Sequence, residues 1–287
     1  MNSIDRYVVL GNPIAHSKSP QIHAMFAAQT GQSMQYDRLA APLDGFADTV
    51  RSLIAEGVRG ANVTVPFKLE AHALATTLSD RARAAGAVNT LLFSDECTGE
   101  NSGQSNGQIS GQISGDNTDG VGLVTDIMCN AHTGLQGKRI LLLGAGGAAR
   151  GVLLPLLQQQ PSQLVIANRS MDKAVALVHK FSAEGTLIAT PFVELDGGFD
   201  IIINATAASL LEALPPIPAS VFLPDSFAYD MMYAAAPTIF LRFAAQHGAT
   251  IRDGLGMLVE QAAEAFFLWR GVRPQTELVL KRLRSAL

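Results

Sequence analysis

The chain has 287 residues, 48% of them hydrophobic, enough for one large domain or two ordinary ones around a sizeable core. With 16% charged residues and a formal net charge of −4 it lacks the basic field of a nucleic-acid protein, although a small anionic substrate needs only a few local donors. No apolar run approaches the roughly 20 residues of a membrane span, MNSIDRYVVLGNP does not have the form of a signal peptide, and Cys97 and Cys129 share no metal-type spacing. The expectation is therefore a soluble, cytoplasmic, globular protein without a metal, and with no nucleic-acid or membrane partner.

In chain order, residues 7–10, 35–40 and 60–65 read as strands, and residues 20–29, 43–55 and 67–75 as helices. Strand alternating with helix predicts an α/β domain on a mostly parallel sheet. Residues 94–115 break that pattern. Gly, Ser, Gln and Asn dominate there, SGQ and GQIS repeat, and such a stretch cannot pack a core. It reads as a mobile surface loop or hairpin tip, a tolerated insertion. From Lys138 a second pattern begins: KRILLL as a buried strand, GAGGAAR as a turn into a helix, then QLVIANRS, DIIINAT and FAYDMMY as further strands. Repeated βα units of this kind predict a doubly wound Rossmann domain. Residues 250–253 lead to two last helices, 255–271 and 274–287, the second opening on Pro274 as a first helical position often does.

The run Gly144-Ala145-Gly146-Gly147-Ala148-Ala149 follows an apolar strand and opens a helix, fitting G-x-G-x-x-(G/A). Gly144 and Gly146 let the backbone approach a pyrophosphate, and the helix N-terminus offers N–H donors and partial positive charge. The end of the next strand selects the cofactor. An NAD site usually carries Asp or Glu there; this chain has Asn168-Arg169-Ser170. Arg169 can pair with a 2′-phosphate and stack on adenine, and Arg150 adds a second cation, so NADP is favoured over NAD.

In Ser17-Lys18-Ser19-Pro20, Ser19 reads as a helix N-cap with Pro20 at the first helical position. Two serines one residue apart at a helix start also make a carboxylate site. His16 and His23 flank them and read as local hydrogen-bonding or packing residues rather than catalysts.

Here several motifs come together. Ser17-Lys18-Ser19, Asn62-Val63-Thr64-Val65-Pro66-Phe67-Lys68, Ala87-Val88-Asn89-Thr90, Gly115-Asp116-Asn117-Thr118-Asp119-Gly120 and Gly254-Leu255-Gly256-Met257-Leu258-Val259-Glu260-Gln261-Ala262 resemble, in order and almost end to end, the shikimate dehydrogenase family. The resemblance implies NADPH-dependent reduction of 3-dehydroshikimate to shikimate, in the pathway to chorismate and the aromatic amino acids. It implies a catalytic pair of Lys68 and Asp119, substrate contacts from Ser17, Ser19, Thr64, Asn89, Tyr233 and Gln261, and cofactor contacts from Thr206, Gly254 and Met257 besides the glycine loop. The domains implied are 1–118, with 254–287 returning to it, and an NADP-binding domain 119–253, with the active site in the cleft of a monomer or homodimer.

The chain departs from the family pattern twice. The Gly/Gln/Ser-rich stretch lengthens the spacing from Asn89 to Asp119, and a hairpin tip would leave both residues able to reach the pocket. In Asn204-Ala205-Thr206-Ala207-Ala208-Ser209, the family usually has Ser and Gly after Asn-Ala-Thr. Three alternatives stay open: a quinate/shikimate dehydrogenase using NAD or NADP, a non-catalytic dinucleotide-binding module, and an unrelated NADP reductase sharing only the fold. Ser19 and Arg169 favour shikimate and NADP over the first. Retention of Lys68 with Asp119 speaks against the second, and the Ser17/Ser19 and Gln261 segments against the third.

Overall fold

A computed structural model describes residues 4–94 and 112–287. Contacts divide the chain into two units, Met1–Thr118 with Ala262–Gln275, and Asp119–Gln261 with Thr276–Leu287. The family signature would instead assign the whole of 254–287 to the first domain, a division drawn by motif rather than by contact.

The first unit is built on a six-stranded sheet in the order β2-β1-β3-β5-β6-β4. Its strands are β1 (Asp5–Gly11), β2 (Met34–Ala40), β3 (Val58–Val63), β4 (Thr77–Leu78), β5 (Thr90–Ser94) and β6 (Gln112–Asp116). Alternation places Val8 and Leu10 in one hydrophobic cluster and Tyr7 and Val9 in another, so the central strand is covered on both faces. Helices α1 (Ser19–Thr30), α2 (Phe46–Ala55), α3 (Lys68–Leu74) and α4 (Asp80–Ala85) connect the strands.

The sheet is mixed. β1 runs parallel to β2 and β3, and β4 to β6, but β5 is antiparallel to both β3 and β6. The stretch 94–115 accordingly needs correction at its ends: Ser94 closes β5 and Gln112–Gly115 belong to β6, paired from Ser94↔Gln112 to Thr90↔Asp116. Its middle, 95–111, lies outside the described residues, as does Cys97. The ladder removes the concern about spacing. Whatever length intervenes, antiparallel pairing returns residues 116–118 to the side of Asn89.

The second unit carries a sheet in the order β12-β11-β10-β7-β8-β9, with every neighbouring pair parallel. Its strands are β7 (Arg139–Leu143), β8 (Gln163–Ala167), β9 (Leu187–Thr190), β10 (Phe199–Asn204), β11 (Phe222–Asp230) and β12 (Thr250–Asp253). Helices α5 (Asp119–Thr125), α6 (Gly147–Leu157), α7 (Met171–Lys180) and α8 (Ile239–Gln246) join them. Strand order reverses between β7 and β10, the position at which doubly wound sheets bind ligands. Helix α9 (Leu255–Arg270) contributes to both units, and α10 (Glu277–Ser285) closes the chain.

Pro274 does not open α10, which starts at Glu277 with Thr276 as its N-cap. The Gln29 side chain binds both the N–H and the carbonyl of Gln275, holding that backbone outside the helix. No helix among the described residues is long and apolar enough to cross a membrane.

Candidate active site

In the first unit the serine pair stands at the start of α1, but Ser19 is not its cap. The N-cap is Lys18, which has helical angles and no side-chain capping bond, and Ser19 is already helical, with Pro20 following. Helix entry at Lys18 leaves the Ser19 hydroxyl outside the capping geometry. It accepts instead from Ser17 Oγ at 3.2 Å, while Ser17 Oγ accepts from the Ser19 N–H at 3.3 Å. The two hydroxyls are thus adjacent, with Ser17 Oγ holding the first helical N–H and the Ser19 hydroxyl turned to the Ser17 side chain. His16 beside them is exposed and His23 fully buried.

Thr64 and Lys68 follow β3. Thr64 donates its backbone N–H to Leu10 and accepts from Phe67, a turn that delivers Lys68 as the first residue of α3. This turn lies tightly on the end of β1: a Cβ on Gly11 would come within 2.6 Å of Thr64 Cγ2 and 2.9 Å of Ile14 Cδ1. Lys68 is half-buried, and its carbonyl accepts from the Val88 N–H on the segment leading to Asn89.

Asn89 is buried and its amide has one possible orientation. Its Oδ1 accepts from the Thr118 N–H at 2.9 Å and from Thr90 Oγ1 at 2.9 Å, and its Nδ2 donates to Thr118 Oγ1 at 3.0 Å. Because a backbone N–H can only donate, the oxygen must face the Thr118 N–H, which leaves the amide nitrogen as the donor, as it is to Thr118 Oγ1. Asn62 supports this from beneath, accepting from Tyr36 Oη at 2.7 Å and donating to Thr90 Oγ1 and the Asn89 carbonyl. Burial raises the Tyr36 hydroxyl well above its usual pKa, with a hydrogen bond to Ser19 acting the other way, so it remains a donor. Asn62 and Thr118 lie inside sequence motifs that assign them no role of their own, and Tyr36 lies in none. A Tyr on an edge strand carries no chemical signal until register places it beside Asn62.

In the second unit the glycine loop sits where the strand order reverses. Gly144 has φ +105, and a Cβ there would press on Thr206 Cγ2 at 3.2 Å and on the Ala205 carbonyl at 3.3 Å. Gly146 is the N-cap of α6; a Cβ on Gly146 or Gly147 would meet nothing within 4 Å. Gly146, Gly147 and Ala148 are exposed around this open space, whereas Ala145 and Ala149 are buried against the fold. A pyrophosphate fits these residues: backbone donors at a helix start, with no side chain in the way.

At the end of β8, Asn168 Nδ2 is turned inward onto the Ser170 carbonyl at 2.8 Å, leaving Arg169 and Ser170 exposed. Arg150 is half-buried, and its Nε has no hydrogen-bond partner. Its charge reaches Lys180, whose pKa is lowered by desolvation first and by Arg150 second.

Thr206 is placed by a buried polar cluster. Asn204 Oδ1 accepts from its N–H and hydroxyl, and Asp230 accepts from Ser209 Oγ at 2.6 Å, Thr238 Oγ1 at 2.6 Å and the Met232 N–H at 3.0 Å. Ser209 is thus what ties the atypical Ala-Ala-Ser loop to the end of β11. Tyr233 follows three residues later, half-buried, its pKa raised by burial and then by Asp253. Gly254 donates to the Met232 carbonyl at 3.1 Å and packs on Met231 too closely for any side chain. Met257 is buried on the first turn of α9, and Gln261 is half-buried one turn on, donating to the Leu258 carbonyl. Asp119 is the first residue of α5 and is buried.

Comparison with known proteins gives three family matches: a shikimate dehydrogenase substrate binding domain over residues 9–91, a shikimate / quinate 5-dehydrogenase over 127–212, and a shikimate 5′-dehydrogenase C-terminal domain over 254–284. A shikimate dehydrogenase (NADP(+)) of Herminiimonas arsenicoxydans is 61% identical over 99% of this chain and 98% of its own length. The chain belongs to the shikimate dehydrogenase family.

Among solved structures, the Ael1 enzyme from Pseudomonas putida is 47% identical with a TM-score of 0.89, covering 97% of this chain and 98% of that one. The family's shikimate 5-dehydrogenase from Thermus thermophilus, solved with NADP(H) and shikimate, is 32% identical with a TM-score of 0.83, covering 99% and 100%. Ser17 to Asn89 lie within the first matched stretch, the glycine loop, Arg169 and Thr206 within the second, and Gly254, Met257 and Gln261 within the third; Asp119 and Tyr233 fall outside all three.

Proposed function

We propose that this chain is an NADP-dependent shikimate dehydrogenase that reduces 3-dehydroshikimate to shikimate. The observation that carries the reading is 61% identity over 99% of the chain to a shikimate dehydrogenase (NADP(+)). The paired hydroxyls of Ser17 and Ser19 support it, because they lie side by side at the start of α1, where both suit a carboxylate.

Reducing a ketone builds negative charge on its oxygen, so a cation or proton donor must stand beside that oxygen. Lys68 supplies the charge and the proton from its ammonium. Asp119 accepts from the neighbouring hydroxyl and orients the ammonium. Asn89 donates an amide N–H to a ring oxygen, while Thr64, Gln261 and Tyr233 fix the ring and carboxylate. NADPH, when bound, supplies the hydride. The glycine loop holds its pyrophosphate, and Arg169, with Arg150 as a second cation, meets its 2′-phosphate. Ser170, Asn168, Thr206, Gly254 and Met257 line the rest of its path. We place the enzyme in the cytoplasm as a monomer or homodimer, which light scattering tests.

The deciding experiment is NADP-linked oxidation of shikimate at alkaline pH, with quinate and NAD as alternates. Turnover confined to shikimate with NADP supports the assignment. Comparable rates with quinate or NAD would move it to a quinate/shikimate dehydrogenase, and dinucleotide binding without turnover to a silent module.

A further inference from the structure

After α5 the helix widens into a π-helical turn, Asp126–Asn130, in which the Ala131 N–H reaches back five residues to the Asp126 carbonyl. Such turns are uncommon in helices. Here it brings a fully buried carboxylate into the second unit. Asp126 Oδ2 accepts from Tyr229 Oη at 2.7 Å and Arg252 Nε at 2.9 Å; Oδ1 accepts from Arg252 Nη2 at 2.6 Å and Asn130 Nδ2 at 2.9 Å. Tyr229 and Arg252 are register partners on adjacent parallel strands, so both point to the same face of the sheet. From the helical side, a Cβ on Gly256 would fall on the Asp126 carboxylate, so α9 touches this oxygen pair with bare backbone. Asn130 extends the contact to α9 by donating also to Glu260 Oε1 at 2.9 Å.

We propose that Asp126 is a positioning residue, a clamp that fixes α5, β11, β12 and α9 to one another and so sets the places of Asp119, Tyr233, Gly254, Met257 and Gln261. The inference rests on the shikimate dehydrogenase reading for the roles of those residues. Each clamped segment carries or leads into at least one of them: Asp119 opens α5, Tyr233 follows Tyr229 by four residues, Gly254 follows Arg252 by two, and Met257 and Gln261 lie on α9 with Gly256. A buried ion pair is a weak source of net stability, because desolvation offsets most of the attraction. What it supplies is direction, since a carboxylate gripped by a guanidinium fork and a phenol tolerates little displacement. Burial, and then the Asp126 charge, raise the Tyr229 hydroxyl well above its usual pKa, so it stays a donor across the working pH range.

Tyr229→Phe removes one donor and keeps the ring, and Asp126→Asn removes the charge. NADPH affinity, read by fluorescence without substrate, should weaken by less than kcat falls in Tyr229→Phe, because the glycine loop on β7 and α6 lies outside the clamp while Gly254 and Met257 lie within it. Its kcat should fall about 5- to 30-fold, and that of Asp126→Asn further, as expected when reacting groups shift by a fraction of an ångström. Hydrogen exchange should quicken in 119–125 and 254–261 but not in 147–157. A kcat within twofold of the parent, or exchange quickened evenly through the unit, would overturn the clamp. If the parent itself does not oxidise shikimate, the functional reading fails, and the exchange pattern alone still decides the inference.

Discussion

Gly122→Ala tests how tightly α5 must lie on α9. A Cβ at Gly122 would stand 2.7 Å from the Gln261 backbone nitrogen, 2.8 Å from Gln261 Cβ and 2.8 Å from the Met257 carbonyl oxygen. Two of these three atoms are backbone, so no side-chain rotation relieves the contact. Restoring an ordinary 3.4 Å contact separates the helices by 0.6–0.7 Å (3.4 less 2.7–2.8). Overpacking of this kind costs about 1–3 kcal/mol, and Ala in place of a helical Gly returns about 1 kcal/mol, leaving about 0–2 kcal/mol of destabilisation. The melting temperature should therefore fall by no more than about 8 °C. Catalysis should suffer more, because a 1 Å misplacement costs about 100-fold; two thirds of that displacement at Met257 and Gln261 corresponds to about 15- to 25-fold in kcat/KM. Steady-state kinetics well below the melting temperature, beside a calorimetric melt, separates the two effects. Wild-type kcat/KM in a folded Gly122→Ala protein would refute the claim that this helix contact sets the site.

Lys68→Ala should lose about 10²- to 10⁴-fold in kcat with a smaller change in substrate affinity, the ordinary worth of a general acid; near-normal kcat would remove it from the mechanism. Arg169→Ala should raise KM for NADP by about 10- to 100-fold while leaving KM for NAD nearly unchanged, the loss of a charge-assisted contact to the 2′-phosphate. Ser209→Ala deprives the buried Asp230 carboxylate of a donor at 2.6 Å, at a cost of about 1.5–3 kcal/mol, and should raise KM for NADPH by loosening the Thr206 loop; a thermal melt and NADPH titration check both halves. His23 is fully buried, stacks on Tyr36 at 4.1 Å, and neither ring nitrogen has hydrogen-bond geometry; burial lowers its pKa to about 3, with the nearby Asn62 side chain acting the other way. Since the unfolded state takes up this proton near pH 6.5 and the folded state does not, stability is complete above 6.5 and falls as pH drops toward 3. At pH 5 the loss is about 2 kcal/mol, which His23→Phe should abolish in paired melts at pH 5 and 7.5.

Local rules made much of this protein legible in its sequence. Alternating apolar runs marked the central strands and most helices, because burial on one or both faces leaves a period that the chain itself carries. The glycine loop was readable because a tight turn before a helix admits few residues, and the motifs around Lys68, Asn89 and the serine pair carried the resemblance because each is contiguous in the chain. Where contacts join distant residues, the tertiary structure decided. Ser19 suits an N-cap by local chemistry, yet the helix enters at Lys18 and the hydroxyl meets Ser17 instead. Pro274 suits a helix start, but Gln29, far away in sequence, holds the backbone of Gln275. The antiparallel placement of β5 and β6, which returns Thr118 to Asn89 across an insertion, follows from register, and register is a property of two strands rather than one. Asp126 carries no motif. Its place beneath Tyr229, Arg252 and Gly256 exists only once two strands and two helices have packed, because a buried carboxylate is tolerable only where the fold brings all its donors together.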